Sequence, residues 1–172
     1  GGTYDFVAGH SLGEYSALVA AGAVDFSDAV RTVRARGQFM QEAVPPGEGA
    51  MAAILGLDRA LVFQACEEAQ GTGVVQVANL NGPGQTVIAG AAAAVGRAVE
   101  LAKVKGAKRA VPLPVSAPFH CALMAPAAER LQAVLRTVRV RDLRVPLATN
   151  VDADLLSDGA RVRDALVRQV TA

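Results

Sequence analysis

Five residues, Gly9-His10-Ser11-Leu12-Gly13, join a short apolar run to an alanine-rich one, and few folds accept such a juncture. Residues 4–8 read as a buried strand. Helical periodicity then carries the chain to residue 21, where Gly22 suits a helix C-terminus. A strand that turns into a helix through Gly-x-Ser-x-Gly is a unit of α/β architecture, with helices laid on a parallel sheet. Packing of that kind needs small apolar residues more than rings. Hydrophobic residues make up 52% of this chain and aromatic ones only 4%.

A second helix is expected over 25–43, entered through Asp25-Phe26-Ser27-Asp28 in the manner of a capping box. Pro45-Pro46-Gly47 ends it. From 50 to 115 the pattern becomes self-contained: strand 50–55, helix 58–70, strands 74–79 and 85–90, helix 91–105, strand 109–115. Asn81-Gly82-Pro83-Gly84 separates the two middle strands as a turn. The order βαββαβ is the ferredoxin-like arrangement, here a small subdomain over 48–116 inserted into a larger α/β domain built from 1–47 and 117–172. A helix at 125–138, a strand at 145–151 and a helix at 160–170 complete the larger domain. The sequence opens on Gly rather than Met and stops at its last helix, so it reads as an internal piece of a longer protein.

Several function classes fall away. With 17 Lys and Arg against 16 Asp and Glu, the net charge of +1 and the lack of aromatics among basic residues point to no nucleic-acid partner. Cys66 and Cys121 have neither disulfide nor zinc-site spacing, so no metal is expected and a reducing compartment fits. No apolar run reaches the roughly 18 residues of a membrane span, and no signal peptide is visible. The expectation is a cytoplasmic protein without a membrane partner.

In a Gly-x-Ser-x-Gly elbow the glycines are expected to avoid collisions in a tight turn, and Ser11 is presented at a helix N-terminus. There the dipole and the unpaired amides, that of Leu12 among them, favour developing negative charge. A plain glycine-rich turn is the alternative. A serine hydroxyl needs a base. Of the two histidines, His10 adjoins Ser11 and is expected to point elsewhere, whereas His120 follows a strand end and the Pro-stiffened Pro114-Val115-Ser116-Ala117-Pro118-Phe119. His120 is therefore the candidate base, with a capping or surface histidine as the alternative. On the wheel of the second helix Ala29, Val30, Val33, Gly37, Met40 and Val44 share a face, and Arg36 falls at its edge. A guanidinium there needs a partner: either a protein carboxylate, or the carboxylate of a substrate held bidentately.

Taken together, the stretches GHSLGEYSALVAAGAVDFSDAV, RARGQFMQEAVPPGEGAMAAILGL, NLNGPGQTVIAG and PFHCALM resemble the malonyl-CoA:acyl carrier protein transacylases of bacterial fatty acid synthesis. The resemblance implies an α/β-hydrolase-like large domain around the ferredoxin-like insert. It implies Ser11 as acyl-accepting nucleophile, His120 as base, Leu12 as an oxyanion amide and Arg36 as the grip on the malonyl carboxylate. Phe119 before His120 resembles the Phe-His pair of malonyl-selective domains. His10 and Phe119 join Leu12 and Arg36 as candidate substrate-binding residues. Malonyl-CoA and acyl carrier protein are the implied partners and the full-length protein is expected to be a monomer. No cofactor is implied, coenzyme A entering as a thioester substrate. The family's second oxyanion amide and the glutamine that orients the histidine are expected outside this chain. Rival readings are a serine hydrolase or thioesterase, a polyketide synthase acyltransferase domain and a non-enzymatic scaffold. No carboxylate between Ser11 and His120 declares itself as a third triad member.

Overall fold

The computed structural model describes residues 4–172 and is a mixed α/β protein. In chain order its elements are β1 (Val7–Ala8), α1 (Leu12–Ala20), α2 (Phe26–Glu42), β2 (Gly49–Leu55), α3 (Arg59–Ala69), β3 (Val75–Gly82), β4 (Gln85–Ala91), α4 (Ala92–Val104), β5 (Arg109–Pro112), α5 (Ala125–Thr137), β6 (Leu147–Ala148), β7 (Leu155–Leu156) and α6 (Gly159–Gln169). The chain divides into two compact units. One holds the residues up to Phe39 with Ala127–Gln169, the other Met40–Pro126 with Val170–Ala172.

In the first unit β1 and β6 pair in parallel, Val7 opposite Leu147, and β7 adds antiparallel to β6. The strand expected over 145–151 shrinks to Leu147–Ala148. Pro146 has no amide to donate, although its carbonyl accepts from Val7 N–H at 2.9 Å. Thr149 turns back to the Asp154 carbonyl instead of extending the ladder. Strand β7, only two residues long, lies outside the sequence expectation. Helix α6 buries Gly159, Val162, Ala165, Leu166 and Gln169, a stripe at helical spacing that ends on a polar side chain. Its Arg163 donates to the Leu135 and Val138 carbonyls at 3.0 and 2.9 Å, adding donors at the end of α5, where the helix runs out of amides.

The second unit follows the expected order closely, each element within a few residues of its predicted bounds. Its four strands are antiparallel in the order β3-β4-β2-β5. Side chains alternate across β2: Ala52 and Ile54 join α3 and α4 on one face, while Met51 and Ala53 meet Cys121, Leu113, Phe119 and Leu123 on the other. Alanines at 65, 69, 94, 98 and 102 line the buried faces of the two helices, allowing close approach to the sheet. Asp58 caps α3 by accepting from Ala60 N–H at 2.8 Å. Pro83-Gly84 forms the hairpin turn, with Gly84 at φ 66°.

Candidate active site

Ser11 is the N-cap of α1, in an uncommon backbone conformation of φ 50°, ψ −105°. The strand must reverse into a helix within one residue, and Gly9 makes this sterically feasible. A Cβ there would lie 2.0 Å from the Gly13 carbonyl oxygen. Gly13 is different: a Cβ would meet nothing within 4 Å. The expectation that both glycines prevent collisions holds for Gly9 and is corrected for Gly13, which is already inside the helix and follows its path outward.

The strained turn is held by a side chain from the loop after β6. Ser11 N–H donates to Asn150 Oδ1 at 2.6 Å, and Asn150 Nδ2 donates to the Gly9 carbonyl at 2.6 Å. A residue in such a conformation persists only when its surroundings over-determine it. Serine commonly caps a helix with its hydroxyl. At α1 no side-chain cap bond forms, and Ser11 Oγ instead accepts from Arg36 Nη2 at 2.8 Å. As the first residue of α1, Leu12 has an amide with no intrahelical acceptor, and its side chain is exposed. His10 is exposed on the other side of Ser11.

Arg36 is more central than its sequence position suggested. The buried stripe of α2 runs Ala29, Thr32, Arg36, Met40, whereas Val30 is 51% exposed and Gly37 is exposed. The apolar face is thus rotated from that expected on the wheel, and Arg36, 7% exposed, lies along its midline. Its Nη2 also donates to Gln169 Oε1 at 2.9 Å, and its Cζ stands 5.9 Å from the Tyr15 ring centroid. Its Nε has no partner, nor has the Tyr15 hydroxyl. Burial lowers the Arg36 pKa, while Glu14 and Tyr15 act the other way. Burial pushes Tyr15 up to about 12.

Sequence reasoning missed Glu14, Asn150 and Gln169. Glu14 is 1% exposed, one turn beyond Ser11 on the buried face of α1. It accepts from Asn150 N–H at 3.2 Å and from Gln169 Nε2, and Gln169 Nε2 also donates to the Ser11 carbonyl at 3.1 Å. Burial raises the Glu14 pKa above the ordinary carboxylate range, against the opposing pull of Gln169, Asn150 and Arg36. Glu14 thus stands as a buried carboxylate beside Ser11, and Gln169 as a glutamine bonded to Arg36 and to the Ser11 carbonyl. A charged residue within an apolar helix stripe was the available signal for Glu14. Asn150 and Gln169 lie far along the sequence and carried none.

His120 and Phe119 belong to the second unit. Phe119 packs against the cluster of Met51, Ala78, Val87, Ala89 and Cys121. Cys121 is fully buried, with Sγ bonded to the Pro118 carbonyl at 3.0 Å, and Ala122 N–H donates to Gln76 Oε1 at 3.0 Å. Between these anchors His120 is buried at φ 57°. A left-handed non-glycine residue between two fixed neighbours has its direction set by the backbone. Ser11, Leu12 and Arg36 thus come together within the first unit, and Phe119 and His120 within the second. Cys66, pushed up to about 11 by burial, and Cys121, raised for the same reason, are inert thiols. Among the described residues no group of three His, Cys, Asp or Glu could hold a metal ion, and no helix is long and apolar enough to cross a membrane.

Comparison with known proteins gives a consistent family signal. The acyl transferase domain family matches residues 1–166. A malonyl CoA-acyl carrier protein transacylase from Bacillus subtilis is 57% identical over 98% of this chain and 53% of its own length. The one from Escherichia coli K12 is 58% identical over 95% of this chain and 53% of its own length. The crystal structure of an acyl-carrier-protein S-malonyltransferase from Burkholderia pseudomallei superposes with a TM-score of 0.97 at 54% identity, covering all of this chain and 56% of that one. A type II polyketide synthase malonyl-transacylase, solved in complex with its acyl-carrier protein, gives a TM-score of 0.97 at 50% identity over 99% of this chain and 55% of its own. The chain therefore spans about half the length of the relatives it matches.

Proposed function

The chain belongs to the acyl transferase domain family, and from that premise we propose that the protein moves a malonyl group from coenzyme A to the phosphopantetheine thiol of acyl carrier protein. The observation that carries this reading is the buried Arg36 guanidinium, 2.8 Å from the Ser11 hydroxyl and with Nε uncommitted. A cation so placed suits an acyl group that bears its own carboxylate, and acyl groups without one leave it unpaired. The names of the relatives carry the same acyl group and acceptor.

In the proposed cycle the His120 imidazole takes the Ser11 hydroxyl proton as Oγ attacks the thioester carbonyl. The tetrahedral oxyanion lies toward the Leu12 amide at the N-terminus of α1. As the C–S bond breaks, the imidazolium returns the proton to the departing coenzyme A thiolate, leaving a malonyl-serine ester. The carrier-protein thiol then runs the same steps in reverse. The pairing of His120 with Ser11 rests on the family resemblance. His10 and Phe119 are assigned to the substrate side on the same ground.

The order βαββαβ and the sheet order β3-β4-β2-β5 support a ferredoxin-like subdomain over 48–116. It would be inserted in an α/β-hydrolase-like domain made of 1–47 and 117–172. A monomeric, cytoplasmic protein completes the reading. A second reading places the same chemistry in polyketide assembly, which the likeness to the type II polyketide transacylase favours. Comparing transfer rates to fatty-acid and polyketide carrier proteins separates the two. The central test is mass spectrometry of the intact protein after exposure to malonyl-CoA. A malonyl adduct on Ser11, absent in Ser11→Ala, is expected. An adduct that persists in that variant on Cys121 or another residue would sink the assignment.

A further inference from the structure

Among the described residues, Glu14 and Arg36 are buried close to Ser11 and carry opposite formal charges, yet no hydrogen bond or ion pair joins them directly. Gln169 stands between them. Its Oε1 accepts from Arg36 Nη2 at 2.9 Å, and its Nε2 donates to Glu14 Oε2 and to the Ser11 carbonyl. The direction of the carboxamide is fixed by chemistry. Flipped, it would set its NH2 against the guanidinium and its oxygen against the carboxylate and the Ser11 carbonyl, losing these three bonds.

This spacing solves a conflict in a site that must receive an anion. A buried guanidinium without any compensating charge is costly, whereas one clamped by a carboxylate has little to offer a second carboxylate. A neutral carboxamide bond to Arg36 is weaker than a charge-assisted one. Glu14, one side chain further away, balances the charge without occupying the guanidinium edge. We propose that Gln169 is a spacer holding the Glu14 carboxylate one carboxamide away from Arg36, and that this spacing sets the preference of the site for acyl groups bearing a carboxylate. The proposal rests on the malonyl-transfer reading above and makes Gln169 and Glu14 positioning residues acting through Arg36.

The test is Ser11 loading from malonyl-CoA and acetyl-CoA by the intact protein, with melting temperatures to confirm folding. Gln169→Glu brings a carboxylate onto Arg36 and is expected to raise KM for malonyl-CoA about tenfold or more beyond any change in KM for acetyl-CoA. Glu14→Gln removes the balancing charge but keeps the spacer, so KM for malonyl-CoA is expected to fall. A merely structural pair would raise it in both variants. The exchanged double variant Glu14→Gln/Gln169→Glu retains one carboxylate and one carboxamide and is expected to behave like Gln169→Glu. Restored wild-type discrimination in the double variant, or a malonyl KM that rises in Glu14→Gln, would overturn the spacer. If the wild-type protein places no malonyl group on Ser11, the malonyl-transfer reading itself fails. If it does, and the ratio of malonyl to acetyl loading survives Gln169→Glu, only the spacer fails.

Discussion

In the four-stranded sheet, Ala52, Ile54, Val75 and Ile88 meet helices whose buried residues are alanines, valines and a cysteine. Around Ser11 the buried neighbours are Glu14, Tyr15, Arg36 and Gln169. The first region is stabilised by area removed from water, which depends little on any one angle. The second depends on hydrogen bonds that each require a particular atom at a particular place. A sheet core can lose a methylene group and keep its shape, whereas a polar cluster that loses one partner leaves another buried group unsatisfied. The difference is one of tolerance: volume governs the sheet, and chemical identity governs the elbow.

The largest effect expected to sharpen this contrast lies in the sheet. Ile54 is fully buried, so Ile54→Ala should cost about 2–5 kcal/mol of stability in chemical denaturation. Malonyl transfer per folded molecule should stay close to wild type. A matching loss of catalysis would break the division between the regions. Next comes Arg36→Ala, expected to lower malonyl loading about 30–150-fold, or roughly 2–3 kcal/mol, while acetyl loading falls little or rises. Equal losses for both acyl groups would make Arg36 a structural residue like those of the sheet.

The two elbow glycines should diverge. A Cβ on Gly9 would overlap the Gly13 carbonyl, so Gly9→Ala should cost about 1–3 kcal/mol or more and displace Ser11. Gly13→Ala meets open space within a helix and should be neutral or stabilising by up to about 1 kcal/mol. Similar melting temperatures for the two variants would show that the turn is not where the constraint lies.

The smallest effect is a titration. Tyr15, pushed up to about 12 by burial, should remain a phenol through the range near pH 10 where an unfolded tyrosine ionises. Its folded-state pKa is raised, so its contribution is fully present below about pH 10 and is lost as pH rises through about 12. Ultraviolet difference absorbance checks this. A Tyr15 midpoint near pH 10 in the folded protein, instead of about 12, would show that the surroundings of Arg36 are wet.

The contrast between the regions also explains which of them was legible in the sequence. The sheet unit follows rules that act over a few residues: alternation along β2 and β4, the Pro83-Gly84 turn, the Asp58 cap. The elbow was legible at Gly9 and Ser11, because the constraint there is also local. What surrounds it was not. Val30 and Val33 drew the apolar face of α2 toward themselves, although Thr32 and Arg36 are what the fold buries. Gln169 closes an amphipathic helix, where a polar side chain ordinarily faces water, and Asn150 sits in a stretch that read as strand. Their roles depend on a chain reversal that brings residues 150 and 169 to residue 11, and no local pattern encodes such a meeting.

The pairing of Val7 with Leu147 has a consequence for how the molecule is made. The second unit is almost wholly contiguous, so its contacts can close while the polypeptide is still growing. The first unit cannot follow at once, because β6, Asn150 and Gln169 leave the ribosome after Met40–Pro126. Closing so long a loop is slow, and until it closes nothing holds Ser11 at φ 50°. A nascent chain would therefore carry an ordered four-stranded unit beside segments still unformed, and Ser11 would be an ordinary hydroxyl until residue 169 has emerged. Pulse-labelled hydrogen exchange should find the amides of β2 and β4 protected before those of α1. Simultaneous protection of the two sets would mean that the molecule folds in a single step.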